Sequence, residues 1–85
     1  MNIIFDDETI NARELETWPG RLRIGDYLQT NSGLVKIVTV QPACPYLENI
    51  HHYFTQTVAV NEWGDVLTFR FEGTNKIAIF RRRRR

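Results

Sequence analysis

The chain ends on five consecutive arginines, Arg81 to Arg85. Guanidinium groups in such a run stay charged and grip phosphate oxygens in pairs, so the chemistry they offer is nucleic-acid contact. If all five met DNA phosphates, binding would weaken with salt at a log–log slope of roughly −4 to −5. Arg70 and Lys76, on segments just before the run, would extend that surface. Two other readings stand beside this one: an appended purification tag, or a solvated end that pairs loosely with acids elsewhere in the chain. Composition does not choose among the three.

The opposite sign collects at the other end. Asp6, Asp7, Glu8, Glu14 and Glu16 stand against Arg13 alone in the first twenty residues, a net of −4, while residues 21–80 carry five bases and five acids. The molecule therefore reads as an acidic head, a neutral body and a basic tail. A neutral body behind an acidic head argues against a dedicated nucleic-acid binder. An acidic arm of this kind docks on a basic partner surface and can imitate nucleic acid, which suits a small viral or accessory regulator or inhibitor. On that reading the partner-binding residues are the five head carboxylates, with Tyr46 and Trp63 as aromatic anchors. Trp63 stands beside Gly64 in an expected turn, where a large ring is costly to expose unless it packs or binds.

Catalytic and metal chemistry finds less support. Cys44, His51 and His52 match no zinc spacing, a fourth ligand such as Glu48 would be needed, and adjacent histidines point to opposite faces of an extended chain. Cys44 lies between Pro42 and Pro45 with no orienting third group, so a Cys–His nucleophile pair is not indicated. The Pro42-Ala43-Cys44-Pro45 spacing would fit a polyproline-type ligand, but a plain loop accounts for it. Gly25 and Gly33 serve hairpin geometry, not a phosphate-cradling loop. An 85-residue chain also leaves little room for a deep pocket. We therefore expect a non-enzymatic binding module with no cofactor and no metal. Its partner would be another protein, with nucleic-acid binding through Arg70, Lys76 and Arg81–Arg85, or self-association into a homo-oligomer, as alternatives.

The elements that must position these residues follow from periodicity. Ile3-Ile4-Phe5 opens as a short strand. Asn11 followed by Glu14 reads as a capping box starting a short helix over Ala12 to Thr17, which Pro19-Gly20 stops and which Leu15 and Trp18 dock on the core. From Arg21 the period becomes two. Leu22, Ile24 and Leu28 share one face, Asn31-Ser32-Gly33 turns the chain, and the β-branched run Leu34 to Val40 returns it as a hairpin. His52 to Val60 alternates again, Asn61 to Asp65 turns, Val66 to Phe71 puts Leu67, Phe69 and Phe71 inward, and Glu72 to Asn75 turns into Lys76 to Phe80. About five short strands joined by tight turns predict a mainly β domain over residues 1–80, an antiparallel barrel of the SH3-like kind or a curled sheet packed by the N-terminal helix, with 81–85 as a separate basic tail. The stretch Arg23-Ile24-Gly25-Asp26-Tyr27-Leu28 with Gly33-Leu34-Val35-Lys36-Ile37 is similar to hairpins that open many small barrels, a likeness of fold and not of function.

Ten aromatic residues and 42% hydrophobic content suffice for a small core. The lone cysteine suits a reducing compartment. The first residues lack a basic n-region, and no apolar run approaches bilayer length, so a cytoplasmic protein is expected.

Overall fold

The computed structural model describes residues 1–41, 54–73 and 75–83. Among these residues alternating side chains and tight turns produce seven strands: β1 (Asn2–Phe5), β2 (Glu8–Thr17), β3 (Tyr27–Thr30), β4 (Gly33–Gln41), β5 (Phe54–Asn61), β6 (Val66–Glu72) and β7 (Ile77–Arg82). Every pairing is antiparallel, and the order across the sheet is β1-β2-β7-β3-β4-β5-β6. Among the described residues β1 and β6 end the row, so the sheet is open and not closed into a barrel, the first of the two forms that strand spacing suggests.

The expected N-terminal helix is instead most of β2. Ala12, Arg13, Glu14, Leu15, Glu16 and Thr17 are good or neutral helix formers, yet each is paired with β7, from Ala12↔Arg82 to Thr17↔Ile77. The first half of the same strand pairs with β1, from Asn11↔Asn2 to Glu8↔Phe5. Non-local pairing of Ala12 to Thr17 with β7 outweighs a helix preference worth only a few tenths of a kcal/mol per residue. Asn11 and Glu14, read as a capping box, are strand residues. Among the described residues the helical geometry is a single 3₁₀ turn at Pro19–Arg21.

Two turns carry backbone conformations that explain their sequences. Asp6 and Asp7 have φ of 51° and 62°, the two-residue type I′ geometry that matches the twist of a hairpin and that Asp tolerates better than most residues. At Arg23–Asp26 the Asp26 amide donates to the Arg23 carbonyl and Gly25 takes φ 96°, a type II turn that requires glycine at its third position. That turn lifts Ile24 out of the alternation: it is 71% exposed, while Leu22 and Leu28 are buried as expected.

The core has two parts, one on each face. Leu22, Leu28, Val35, Ile37, Ala59 and Ile79 form the larger, against which Leu15, Leu67, Phe69, Phe71 and Ile77 pack. Ile10, Ala12 and Tyr27 form the smaller, with Ile3, Phe5, Leu34 and Phe80. Neighbours such as Tyr27 and Leu28, or Ile79 and Phe80, serve opposite clusters because successive side chains point to opposite faces. The β1–β2 hairpin thus folds over the face of β7, β3 and β4 that carries Phe80, Tyr27 and Leu34. Phe5 meets Tyr27 edge-on with ring centroids 5.4 Å apart. A bulge between Ile37 and Thr39, opposite Ala59 and Val58, bends β4 where β5 joins it. There β5 turns its small residues, Thr55, Thr57 and Ala59, into the core and leaves Val58 and Val60 half-buried.

Candidate functional site

Strand β7 does not stop at Phe80. Arg81 and Arg82 are its last residues, and the Arg83 amide still donates to the Asn11 carbonyl at 2.9 Å. The ladder between β7 and β3 holds only the Tyr27↔Phe80 pair, after which the β3 side turns away through Asp26 and Gly25. Where the two chains part, an open cleft of about 750 Å³ forms, lined by Arg13, Arg23, Ile24, Gly25, Asp26, Tyr27, Lys36 and Arg81 to Arg83.

Asp26 and Arg81 hold the cleft together. Asp26 is 2% exposed, and both of its carboxylate oxygens accept from the Arg81 fork, Nε to Oδ1 and Nη2 to Oδ2, each at 2.9 Å. The Arg23 amide adds a third bond to Oδ2 at 2.9 Å, and Arg81 Nη2 also reaches the Arg21 carbonyl at 3.3 Å. The hydrogen-bonded Asp26 carboxylate keeps the Arg81 guanidinium above its ordinary pKa, against the opposing effect of partial burial. With three donors on it, Asp26 ties the turn before β3 to β7 and is not a free base.

The remaining cations are differently placed. Arg13 stands directly across the ladder from Arg81, a like-charge pair that costs stability unless an anion offsets it. Asp26 takes up one of the two. Arg13, Arg23, Lys36 and Arg83 have no ion-pair partner among the described residues. Arg82 donates to Glu8 Oε1 at 3.3 Å, with both side chains more than half exposed, so that pair is weak. The cleft therefore gathers six bases and one acid on three strands and a turn. Such an arrangement binds anions, and an extended polyanion fits its open shape.

The anticipated site residues are divided. Asp6 and Asp7 are not on a loose arm but at the tip of the β1–β2 hairpin, where the Asp6 amide donates to Glu62 Oε1 at 3.2 Å. Asp65 is close by on the same β5–β6 turn, which Asn61 organises: its Oδ1 accepts from the Trp63 and Asp65 amides, and its side-chain amide donates to Asp65. Glu8 faces Arg82, whereas Glu14 and Glu16 lie exposed along β2, opposite Phe80 and Ala78. Trp63 is 72% exposed, but its ring lies over Gly33, so it packs and remains available for contact. Tyr46, Cys44, Glu48, His51, His52, Pro42, Pro45, Arg84 and Arg85 lie outside the described residues.

Of the alternative set, Arg81 to Arg83 join the cleft, and Arg70 and Lys76 do not. Arg70 lies over the Phe54 ring at 5.5 Å and Lys76 over the half-exposed Trp18 ring at 5.2 Å, both as cation–π contacts. Sequence reasoning missed Arg13, Arg23 and Lys36. Each is a single base in an otherwise ordinary segment, and only the register of β2 on β7 and of β3 on β4 brings them together. The available signal was Arg13, the one base in an acidic head.

No helix among the described residues is long and apolar enough to cross a membrane. No protein-family model matches the chain, and no curated protein or solved structure matches it either.

Proposed function

We propose that this protein is a non-enzymatic binding module whose basic cleft takes the phosphate backbone of a nucleic acid. The observation that carries the reading is the convergence of Arg13, Arg23, Lys36, Arg82 and Arg83 around an Arg81 already neutralised by Asp26. Phosphate oxygens satisfy guanidinium forks bidentately, and cations spread over several strands match a chain of charges better than a single small anion. The described lining offers no exposed aromatic ring, since Tyr27 is 1% exposed, so contact is with the backbone and is not sequence-specific. The separation of charge helps as well: acids at the hairpin tip turn that end away from phosphate and present the cleft. A cytoplasmic setting, suggested by the lone cysteine, belongs to the same reading.

Fluorescence anisotropy of labelled single- and double-stranded oligonucleotides, titrated with salt, tests it. Five phosphate contacts predict a duplex log–log salt slope of about −4 to −5. The double variant Arg13→Gln/Arg23→Gln, which leaves the Asp26–Arg81 tie intact, should bind at least tenfold more weakly and flatten the slope by about 2. Equal affinity of variant and wild type, or no binding at low salt, refutes the proposal.

A second reading keeps protein docking through the acidic end. It is favoured by Asp6, Asp7, Glu62 and Asp65 gathering beside the exposed Trp63 and Val66. There a basic partner would meet carboxylates rimmed by apolar surface.

A further inference from the structure

The two charged regions of this molecule are complementary in sign. The acidic region is a two-residue turn, Asp6-Asp7, hydrogen-bonded to the β5–β6 turn that carries Glu62 and Asp65. The basic end is a concave cleft of about 750 Å³. A hairpin cannot fold its own tip back into that cleft, because β1 and β2 are held in register from Asn2↔Asn11 to Phe5↔Glu8. Asp7 and Arg13 are six positions apart along extended chain, up to about 20 Å. Among the described residues Glu8, at the base of the turn, is the hairpin carboxylate that pairs with the cleft, meeting Arg82 on its rim at 3.3 Å. One rim arginine thus already holds a carboxylate of this hairpin.

We propose that the Asp6-Asp7 hairpin tip of one copy docks in the cleft of a second copy, against Arg13, Arg23, Lys36 and Arg83. Tip and cleft are different surfaces, so the contact is heterologous and propagates head to tail instead of closing into a twofold dimer. A turn tip buries little area, which places the contact in the weak class, and its charges make it sensitive to salt. Nucleic acid and the hairpin tip compete for one cleft, so self-association hides the cleft until a polyanion displaces it. The inference shares this cleft with the proposed function but does not need nucleic acid to bind.

Sedimentation velocity at high protein concentration, without nucleic acid, tests it. The wild type should sediment above its monomer mass of 10.0 kDa at low salt and return to it at high salt. Two variants separate the halves of the contact. Asp6→Asn/Asp7→Asn removes the tip charge while keeping residues that accept positive φ, and Arg13→Gln/Arg23→Gln disables the cleft. Each alone should stay monomeric at low salt, and circular dichroism should show both folded. Their mixture should form a heterodimer of about twice the monomer mass and nothing larger, because each supplies the surface the other lacks. A mixture that stays monomeric, or association that persists in either variant alone, overturns the inference. Oligonucleotide binding by a protein that never self-associates would leave the proposed function intact and remove only this step.

Discussion

Replacing Asp26 with Ala removes the only carboxylate among the described residues of the cleft lining and strands a guanidinium that is 15% exposed as a side chain, together with the Arg23 amide. Breaking a buried ion pair by deleting one partner costs about 3–5 kcal/mol. Arg81 keeps some contact with water and with the Arg21 carbonyl, so the low end, about 3 kcal/mol, applies here. A chain of this length has roughly 4–13 kcal/mol of stability in all, so the loss is a large share of it. At roughly 4–8 °C per kcal/mol for a domain of this size, Asp26→Ala should lower the thermal midpoint by about 12–24 °C. The assay is thermal unfolding by circular dichroism, with urea unfolding as a second measure of stability. Replacing both partners, Asp26→Leu with Arg81→Met, should recover most of the loss, since no charge is then left unpaired. Truncation extends the same argument: a chain ending at Phe80 loses Arg81 and the last pairs of β2 with β7, whereas one ending at Arg83 keeps them. A midpoint shift below about 4 °C for Asp26→Ala, or equal stability of the two truncations, would refute the reasoning. The truncation result also decides how the basic end should be probed, because cutting after Phe80 would confuse lost binding with lost folding.

Three further outcomes follow from particular residues. Thr57 Oγ1 is buried with no hydrogen-bond partner among the described residues, so Thr57→Val, which keeps the shape, should raise stability by about 1 kcal/mol; a lower urea midpoint would contradict this. Gly33 has φ 89° and a Cβ there would stand 3.3 Å from the Trp63 ring, so Gly33→Ala should cost about 1–2 kcal/mol and shift Trp63 fluorescence. Gly20→Ala, with open space around it, serves as a control expected to change little, and equal effects at the two positions would count against the assigned turn. Converting Asp6-Asp7 to Asn-Gly matches the type I′ preference and should stabilise the β1–β2 hairpin by about 0.5 kcal/mol, read as a small rise in thermal midpoint; a fall would argue against that turn geometry.

Much of the architecture was legible because it depends on near neighbours. Alternation in Leu34 to Val40 and Val66 to Phe71, and the turn residues at Gly33 and Gly64, report local backbone preference directly, and β4, β6 and their turns follow from them. The charge division between the two ends was equally plain, since it is a property of composition. Residues Ala12 to Thr17 were misread because local propensity speaks only for the isolated segment. Their strand conformation is fixed by pairing with β7, some 65 residues away along the chain. The same distant pairing converts Arg81 and Arg82 from a tail into the end of a strand. It also places Arg13 across from Arg81 and leaves Asp26 where the ladder would have continued. Sequence alone determined that this is a β-rich chain with oppositely charged ends. Tertiary structure decided that one end is a hairpin tip and the other a cleft, because a binding surface depends on which strands become neighbours, and that is settled by contacts between residues far apart in the chain.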